Sequence, residues 1–92
     1  NINAGQEELL PVSAVFIAIG LVPDNRIFSE LPLDSNGYIL AGDDCKTSLA
    51  GVFAAGDTRA KALRQILTAA SDGATAAFQA ASYVNTLETA LR

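Results

Sequence analysis

The chain has 92 residues, half of them apolar, and a net charge of −4, enough for one small domain that hides only a little over about 60% of its unfolded surface. Its six basic residues form no cluster, which argues against a nucleic-acid partner, and the lack of histidine with a single cysteine excludes, within one chain, a zinc site, a dithiol and a Ser-His or Cys-His catalytic pair. No apolar run approaches the roughly 18 to 20 residues that cross a bilayer and nothing at the N-terminus resembles a signal peptide, so a cytoplasmic protein with no membrane partner is expected.

Asn1 to Leu10 is polar and reads as frayed, with Gly5 and Pro11 bounding a short strand at Glu8 to Leu10. Val15 to Gly20, VFIAIG, reads as an apolar strand ending in glycine, and Pro23 prevents regular structure from continuing. Asp24 and Asn25 suit a turn or the start of a short helix through Phe28 to Leu31. Leu33 to Leu40 carries Asn36-Gly37 between apolar positions, the strongest short hairpin signal. Ala41 to Lys46 is a polar turn holding Cys45, which has no neighbouring cysteine, histidine or cation cluster to activate it and is read as an incidental thiol.

Thr47 to Asp57, TSLAGVFAAGD, is the most informative stretch. Val52, Phe53, Ala54 and Ala55 form an uninterrupted apolar run between Gly51 and Gly56, as expected of a strand covered on both faces in a parallel sheet. Thr47 offers a hydroxyl that ties the incoming loop to backbone groups. Gly56 permits a sharp turn or a close backbone approach. Asp57 then stands at a strand's carboxyl end, where open α/β sheets place their ligands. A carboxylate there either accepts hydrogen bonds from sugar or polyol hydroxyls or caps the following turn.

Thr58 to Leu63 is a polar connector with Arg59 and Lys61. From about Gln65 to Tyr83 the spacing predicts a helix whose apolar face, Leu67, Ala70, Ala74, Ala77, Phe78, Ala81 and Val84, packs in a core. Gly73 within it costs about 1 kcal/mol relative to alanine, which points to a close contact at that position. Asn85 to Arg92 either prolongs the helix or frays.

In this order VFIAIGLVPDN, NGYIL, KTSLAGVFAAGD and RQILTAASDGATAA, together covering about residues 9 to 84, resemble the C-terminal part of the low-molecular-weight thioredoxin reductases, flavoproteins of the pyridine nucleotide-disulfide oxidoreductase group. The resemblance implies an α/β, incomplete FAD/NAD(P)-binding (Rossmann-like) fold with a few strands, a hairpin and one long C-terminal helix. Residues 1–20 would end the NAD(P)H-binding domain, residues 21–92 would form the C-terminal part of the FAD-binding domain, and Leu21 to Asn25 would lie near the hinge between them. It also implies a partial FAD site at Gly56 and Asp57, with the Asp57 carboxylate on a ribitol hydroxyl, and at Arg64, Gln65 and Ile66 beside the isoalloxazine ring, although an arginine at a helix start reads equally as a solvated surface charge. A helix start suits that ring because its unpaired N–H groups and partial positive charge complement the flavin pyrimidine carbonyl. Leu63 departs from the tyrosine that the family usually carries before Arg-Gln.

The parent enzyme would pass electrons from NADPH through FAD to a disulfide of thioredoxin or a similar protein, and the family's FAD domains form a dimer interface. This chain contains neither a G-x-G-x-x-G turn nor a Cys-x-x-C pair, so it is expected to hold no catalytic residue and no metal, and to look like the tail of a larger enzyme. Two other readings stand beside this one: a non-catalytic fragment that self-associates, and the tail of a related flavoprotein of the ferredoxin-NADP reductase type or the alkyl hydroperoxide reductase type.

Overall fold

The structure is a computed structural model describing residues 2–92. It consists of two 3₁₀ turns, Arg26–Phe28 and Gly56–Thr58, and one α-helix, α1, spanning Ile66–Ala90. Among the described residues no β-ladder extends beyond isolated bridges. The expected strands at 8–10, 15–20 and 52–55 are therefore corrected to extended or irregular chain. A strand exists only through the neighbour that satisfies its backbone, and residues 15–20 have no such neighbour among the described residues. Their side chains are correspondingly bare, with Phe16 and Ile19 each 94% exposed.

The hairpin signal does materialise, in miniature. Leu33 and Ile39 form an antiparallel bridge, and the Asp34 N–H donates to Tyr38 O at 2.8 Å. The loop is Ser35-Asn36-Gly37, three residues rather than the two of a tight Asn-Gly turn, with Gly37 at φ +89°. Asp34 sets that length, because its Oδ1 accepts the N–H groups of Asn36 at 2.8 Å and Tyr38 at 3.0 Å. Ile39 then bridges in parallel to Arg59, its N–H donating to Thr58 O at 2.9 Å and its carbonyl accepting from Ala60 N–H at 2.8 Å.

A second return pairs Lys46 with Phe53 in an antiparallel bridge. Ala54 N–H donates to Cys45 O at 2.9 Å, and the Thr47 hydroxyl donates to Val52 O at 2.9 Å while accepting from Leu49 N–H at 3.2 Å, so this threonine ties the loop as its position suggests. The short helix read near Phe28 is a single 3₁₀ turn. Asn25 precedes it without capping it, because its side chain is engaged elsewhere.

The buried apolar cluster is small: Leu31, Ile39 and Ala54, with Ala41 against it. Cys45 is fully buried. It lies at φ +61°, and its thiol donates to Asp72 O at 3.4 Å. Burial, and then the negative charge of Asp72, push that thiol above its ordinary pKa. The chain exposes 7606 Å², against roughly 5,000 Å² for a compact monomer of this size. Its radius of gyration is 20.0 Å, where about 12 Å is expected of a compact chain this long.

Helix α1 continues through Ala90 and so resolves the choice left open for its C-terminal segment. Thr86 and Thr89 donate their hydroxyls back to Ser82 O and Asn85 O, each at 2.9 Å. Its packing reverses expectation. Leu67, Ala70, Ala74, Ala77, Phe78, Ala81 and Val84 are all exposed, and the opposite face, with Thr68, Asp72, Thr75, Gln79 and Tyr83, meets the rest of the chain. Hydrophobic periodicity identifies an amphipathic helix but not which available surface it finds. Here Asp72 binds cations of the connector, while Tyr83 sets its ring edge-on to Phe53 at 6.4 Å between centroids. Gly73 makes no close approach, since a Cβ there would have no heavy atom within 4 Å.

Two glycines therefore predict opposite effects. A Cβ at Gly51 would lie 2.9 Å from Tyr83 Cε1, on a backbone at φ +80°, so Gly51→Ala destabilises the chain by about 1–3 kcal/mol. Gly73→Ala stabilises it by up to about 1 kcal/mol; thermal unfolding followed by circular dichroism compares the two. Cys45 should react with an aromatic disulfide reagent far more slowly in native buffer than in urea, and equal rates would contradict its burial.

Candidate functional site

Gly56 opens the second 3₁₀ turn at φ +82°, a left-handed conformation that favours glycine. A Cβ at this position would sit 3.7 Å from Ala69 Cβ, an ordinary contact, so the backbone angle rather than lack of room selects the residue. The turn closes with Arg59 N–H donating to Gly56 O at 3.1 Å. Asp57 is exposed in the middle of it, and among the described residues nothing bonds its carboxylate.

Asp57 borders a concavity of about 320 Å³. Val22 and Pro23 contribute apolar lining, Asn25 and Thr58 polar lining, and Tyr38 and Arg64 border it as well. The Arg64 guanidinium stacks on the Tyr38 ring 3.5 Å from its centroid, donating from Nε to Asp57 O at 3.2 Å and from Nη2 to Arg59 O at 3.3 Å. Such a stack contributes roughly 0.5–2 kcal/mol. Arg64 is thus a clamp on the turn's carbonyls rather than a freely solvated charge.

Asn25 is buried and joins three segments. Its Nδ2 donates to Gly37 O at 2.9 Å and to Thr58 O at 3.4 Å, and its Oδ1 accepts the Thr58 hydroxyl. The structure brings Asp57 and Arg64 to one concavity, with Gly56 one residue behind. Gln65 and Ile66 lie at the start of α1 and do not line it. Gln65 N–H donates to Thr68 Oγ1 at 3.0 Å, half of a capping box with the N3 residue, so that amide is engaged within the protein. Ile66, at the first helical position, is exposed.

Beneath the turn lies a charged cluster that motif reading does not register. Asp72 Oδ2 accepts from Gly56 N–H, Arg59 Nε and Lys61 Nζ, each at 3.0 Å, and Oδ1 accepts from Arg59 Nη2 at 3.0 Å. Arg59 also reaches Ala41 O at 3.3 Å and Asp43 Oδ1 at 3.5 Å. The side chains of Asp72, Arg59 and Lys61 are at least nine-tenths buried. The Arg59 guanidinium, above all, holds the Asp72 carboxyl well below the usual carboxylate range, and Asp72 in turn raises Arg59. The one sequence signal that could have found it is that Asp72 has no cation three or four residues away on its helix, so any ion-pair partner for it comes from another segment.

Asn25 and Tyr38 carried no comparable signal, since the bonds and the stack that define them span 12 to 33 residues and 26 residues. Among the described residues no group of three or more histidine, cysteine or acidic side chains is placed to hold a metal ion, and no helix is long and apolar enough to cross a membrane.

Residues 1–73 match the family described as pyridine nucleotide-disulphide oxidoreductase. The chain is 48% identical over 88 residues to a thioredoxin reductase of Treponema pallidum, covering 96% of this chain and 29% of that protein. It is 49% identical over 88 residues to one of Listeria innocua, covering 95% and 28%. Among solved structures, thioredoxin reductase of Streptococcus pyogenes superimposes with a TM-score of 0.76 at 39% identity, over 94% of this chain and 28% of that one. The Lactococcus lactis enzyme superimposes at 0.73 and 43% identity, over 77% and 24%. The chain thus spans under a third of the length of the relatives it matches, and its backbone follows part of a dinucleotide-binding domain although the sheet ladders are absent among the described residues. On the family match and these superpositions together, the chain belongs to the pyridine nucleotide-disulphide oxidoreductase family, as a segment akin to the low-molecular-weight thioredoxin reductases.

Proposed function

We propose that the chain is the FAD-binding C-terminal segment of a thioredoxin-disulfide reductase, in which electrons pass from NADPH through FAD to the disulfide of thioredoxin or a similar protein in the cytoplasm. In this reading residues 1–20 close the NADPH-binding domain and residues 21–92 belong to the FAD-binding domain. The observation that carries it is Asp57. Its backbone is held by Arg64 and by the Gly56–Thr58 turn, while its carboxylate stands unbonded and exposed beside a concavity of about 320 Å³. A fixed backbone with an open carboxylate is what recognition of a polyol hydroxyl requires.

The donor set fits part of the cofactor. The concavity lies at the small end of ligand sites, about 300–1,000 Å³, and offers a carboxylate for the ribitol chain with an apolar flank for a ring edge. Arg64 acts through Tyr38 and the Asp57 and Arg59 carbonyls, holding the turn in place. The Ile66 amide bonds nothing among the described residues, and its residue is exposed at the positive end of α1, so it supplies the donor for a pyrimidine carbonyl, whereas Gln65 contributes the cap. When bound, FAD supplies the two-electron relay between a nicotinamide and a disulfide. The sequence holds no glycine-rich turn for the pyrophosphate, so the site is partial.

Asp57→Ala in the flavin-loaded reductase carrying this segment is expected to weaken FAD binding by about tenfold to 150-fold, the effect of losing one charge-assisted hydrogen bond of roughly 1.5–3 kcal/mol. Flavin absorbance per protein after gel filtration measures it, and unchanged content would refute the ribitol role. The 92-residue chain alone should bind FAD more weakly than micromolar in an equilibrium titration.

A second reading, self-association, is favoured by the outward apolar face of α1. Phe78 on that face is 74% exposed, and burying one such ring contributes about 1.5–3 kcal/mol. Light scattering should give a mass above the 9.5 kDa of one chain, and Phe78→Glu should return it towards the monomer. A strictly monomeric, cooperatively folding chain would count against this reading. The electron acceptor is set by chemistry outside the chain, and a parent without a dithiol would point instead to ferredoxin or a peroxidase partner.

A further inference from the structure

We infer that Asp72 is the positioning residue of the proposed cofactor loop: it aims Asp57 without touching what Asp57 binds. The functional consequence rests on the flavin reading above; the geometry does not.

The Gly56–Thr58 turn is gripped at both ends by this one carboxylate. Asp72 accepts the amide of Gly56, the first residue of the turn, and both the Nε and Nη2 of Arg59, the residue that follows its last. Asp57 and Thr58 are suspended between those two anchors. Asp72 lies six residues beyond Ile66, about 9 Å up the axis of α1. The same contacts therefore set the distance from the helix start to Asp57, the two halves of the proposed site.

Side-chain chemistry makes the position exacting. Three donors meet at Oδ2 and a fourth at Oδ1, and a carboxylate offers about four lone-pair sites and no hydrogen. An asparagine of the same shape fails in either orientation. With its NH₂ at the first position it opposes Gly56, Arg59 Nε and Lys61; with its NH₂ at the second it opposes Arg59 Nη2. It also removes the counter-charge of the buried Lys61 and leaves the buried Arg59 with only the exposed Asp43, which is strongly destabilising. Lys61 is different. It reaches Oδ2 as a third donor and holds neither end of the turn, so removing it leaves both grips in place.

Charged and titratable groups facing this site are Arg59 and Lys61 from the connector and Cys45 from the preceding loop, with Asp44 near Cys45 and Asp43 at 3.5 Å from Arg59 Nη1. Because the folded Asp72 is depressed by its cations, the tie is complete above the ordinary aspartate value of about 3.9 and is lost as pH falls through the lower folded value.

The test is nuclear magnetic resonance of the 92-residue chain. In Asp72→Asn, the dipolar couplings of Asp57 and Thr58 should collapse and the Gly56 and Arg59 amides should exchange about tenfold faster, as loss of a buried hydrogen bond predicts, while residues 76–83 of α1 keep their protection. Lys61→Met should leave those couplings unchanged. Unaltered Asp57 couplings in Asp72→Asn would overturn the inference. Should that variant not fold, acid titration of the unmodified chain decides. The Gly56 amide shift and the Asp57 couplings should change together, with a midpoint well below 3.9; a Gly56 midpoint at the ordinary value would overturn the inference. In the flavin-loaded reductase, Asp72→Asn should weaken FAD binding about tenfold and Lys61→Met should not. If Asp72→Asn disturbs the turn while Asp57→Ala leaves flavin content unchanged, the positioning role stands and the flavin reading falls.

Discussion

One carboxylate organises this chain. Asp72 receives a backbone amide, a bidentate guanidinium and an ammonium, and through them the helix, the Gly56–Thr58 turn and the connector become one body. Arg59 extends the same hold to the 41–43 loop, and the Asp72 carbonyl accepts the buried Cys45 thiol. A buried ion pair is weak evidence for net stability, because desolvation opposes the attraction. Its effect here is geometric: beside an apolar cluster that, among the described residues, comprises Leu31, Ile39 and Ala54, four directed hydrogen bonds to one carboxylate fix how the helix and the turn lie against each other.

The same balance explains the orientation of α1. Its most apolar face is exposed, and the face carrying Thr68, Asp72, Gln79 and Tyr83 packs inward. Apolar burial is non-directional and requires a complementary surface, whereas the Arg59 guanidinium and the groove at Gly51, closed by Tyr83, accept only one face. The bare residues 15–20 follow the same logic at the backbone level: an apolar run becomes a strand only beside another strand. The backbone nevertheless follows the path of its thioredoxin reductase relatives. The route of the chain thus survives without the ladder that usually defines it.

Local chemistry was legible wherever its cause was local. Asn36-Gly37 marked a hairpin, although Asp34 lengthened its loop by one residue. Thr47 tied its loop as a hydroxyl before an extended segment should, Gly56 marked a backbone turn, and the alanine-rich run made a helix. The family was legible as well, since four motifs in order leave few alternatives. The arrangement within the site was not. Asn25 looked like a turn residue and serves as a buried junction, and Arg64 looked like a helix-start charge and serves as a clamp stacked on Tyr38. Gln65 looked like an amide donor and is engaged in capping.

By itself the sequence determined the helix, the turns and the family, because each rests on backbone preference or on residue order. Only the tertiary structure decided which face of α1 packs, that residues 15–20 pair with no strand among the described residues, that Asp57 is exposed, and that Asp72 holds the turn presenting it. Those outcomes depend on partners 11 to 16 residues away for Asp72 and on the presence or absence of a facing surface, and neither is written in the spacing of one segment.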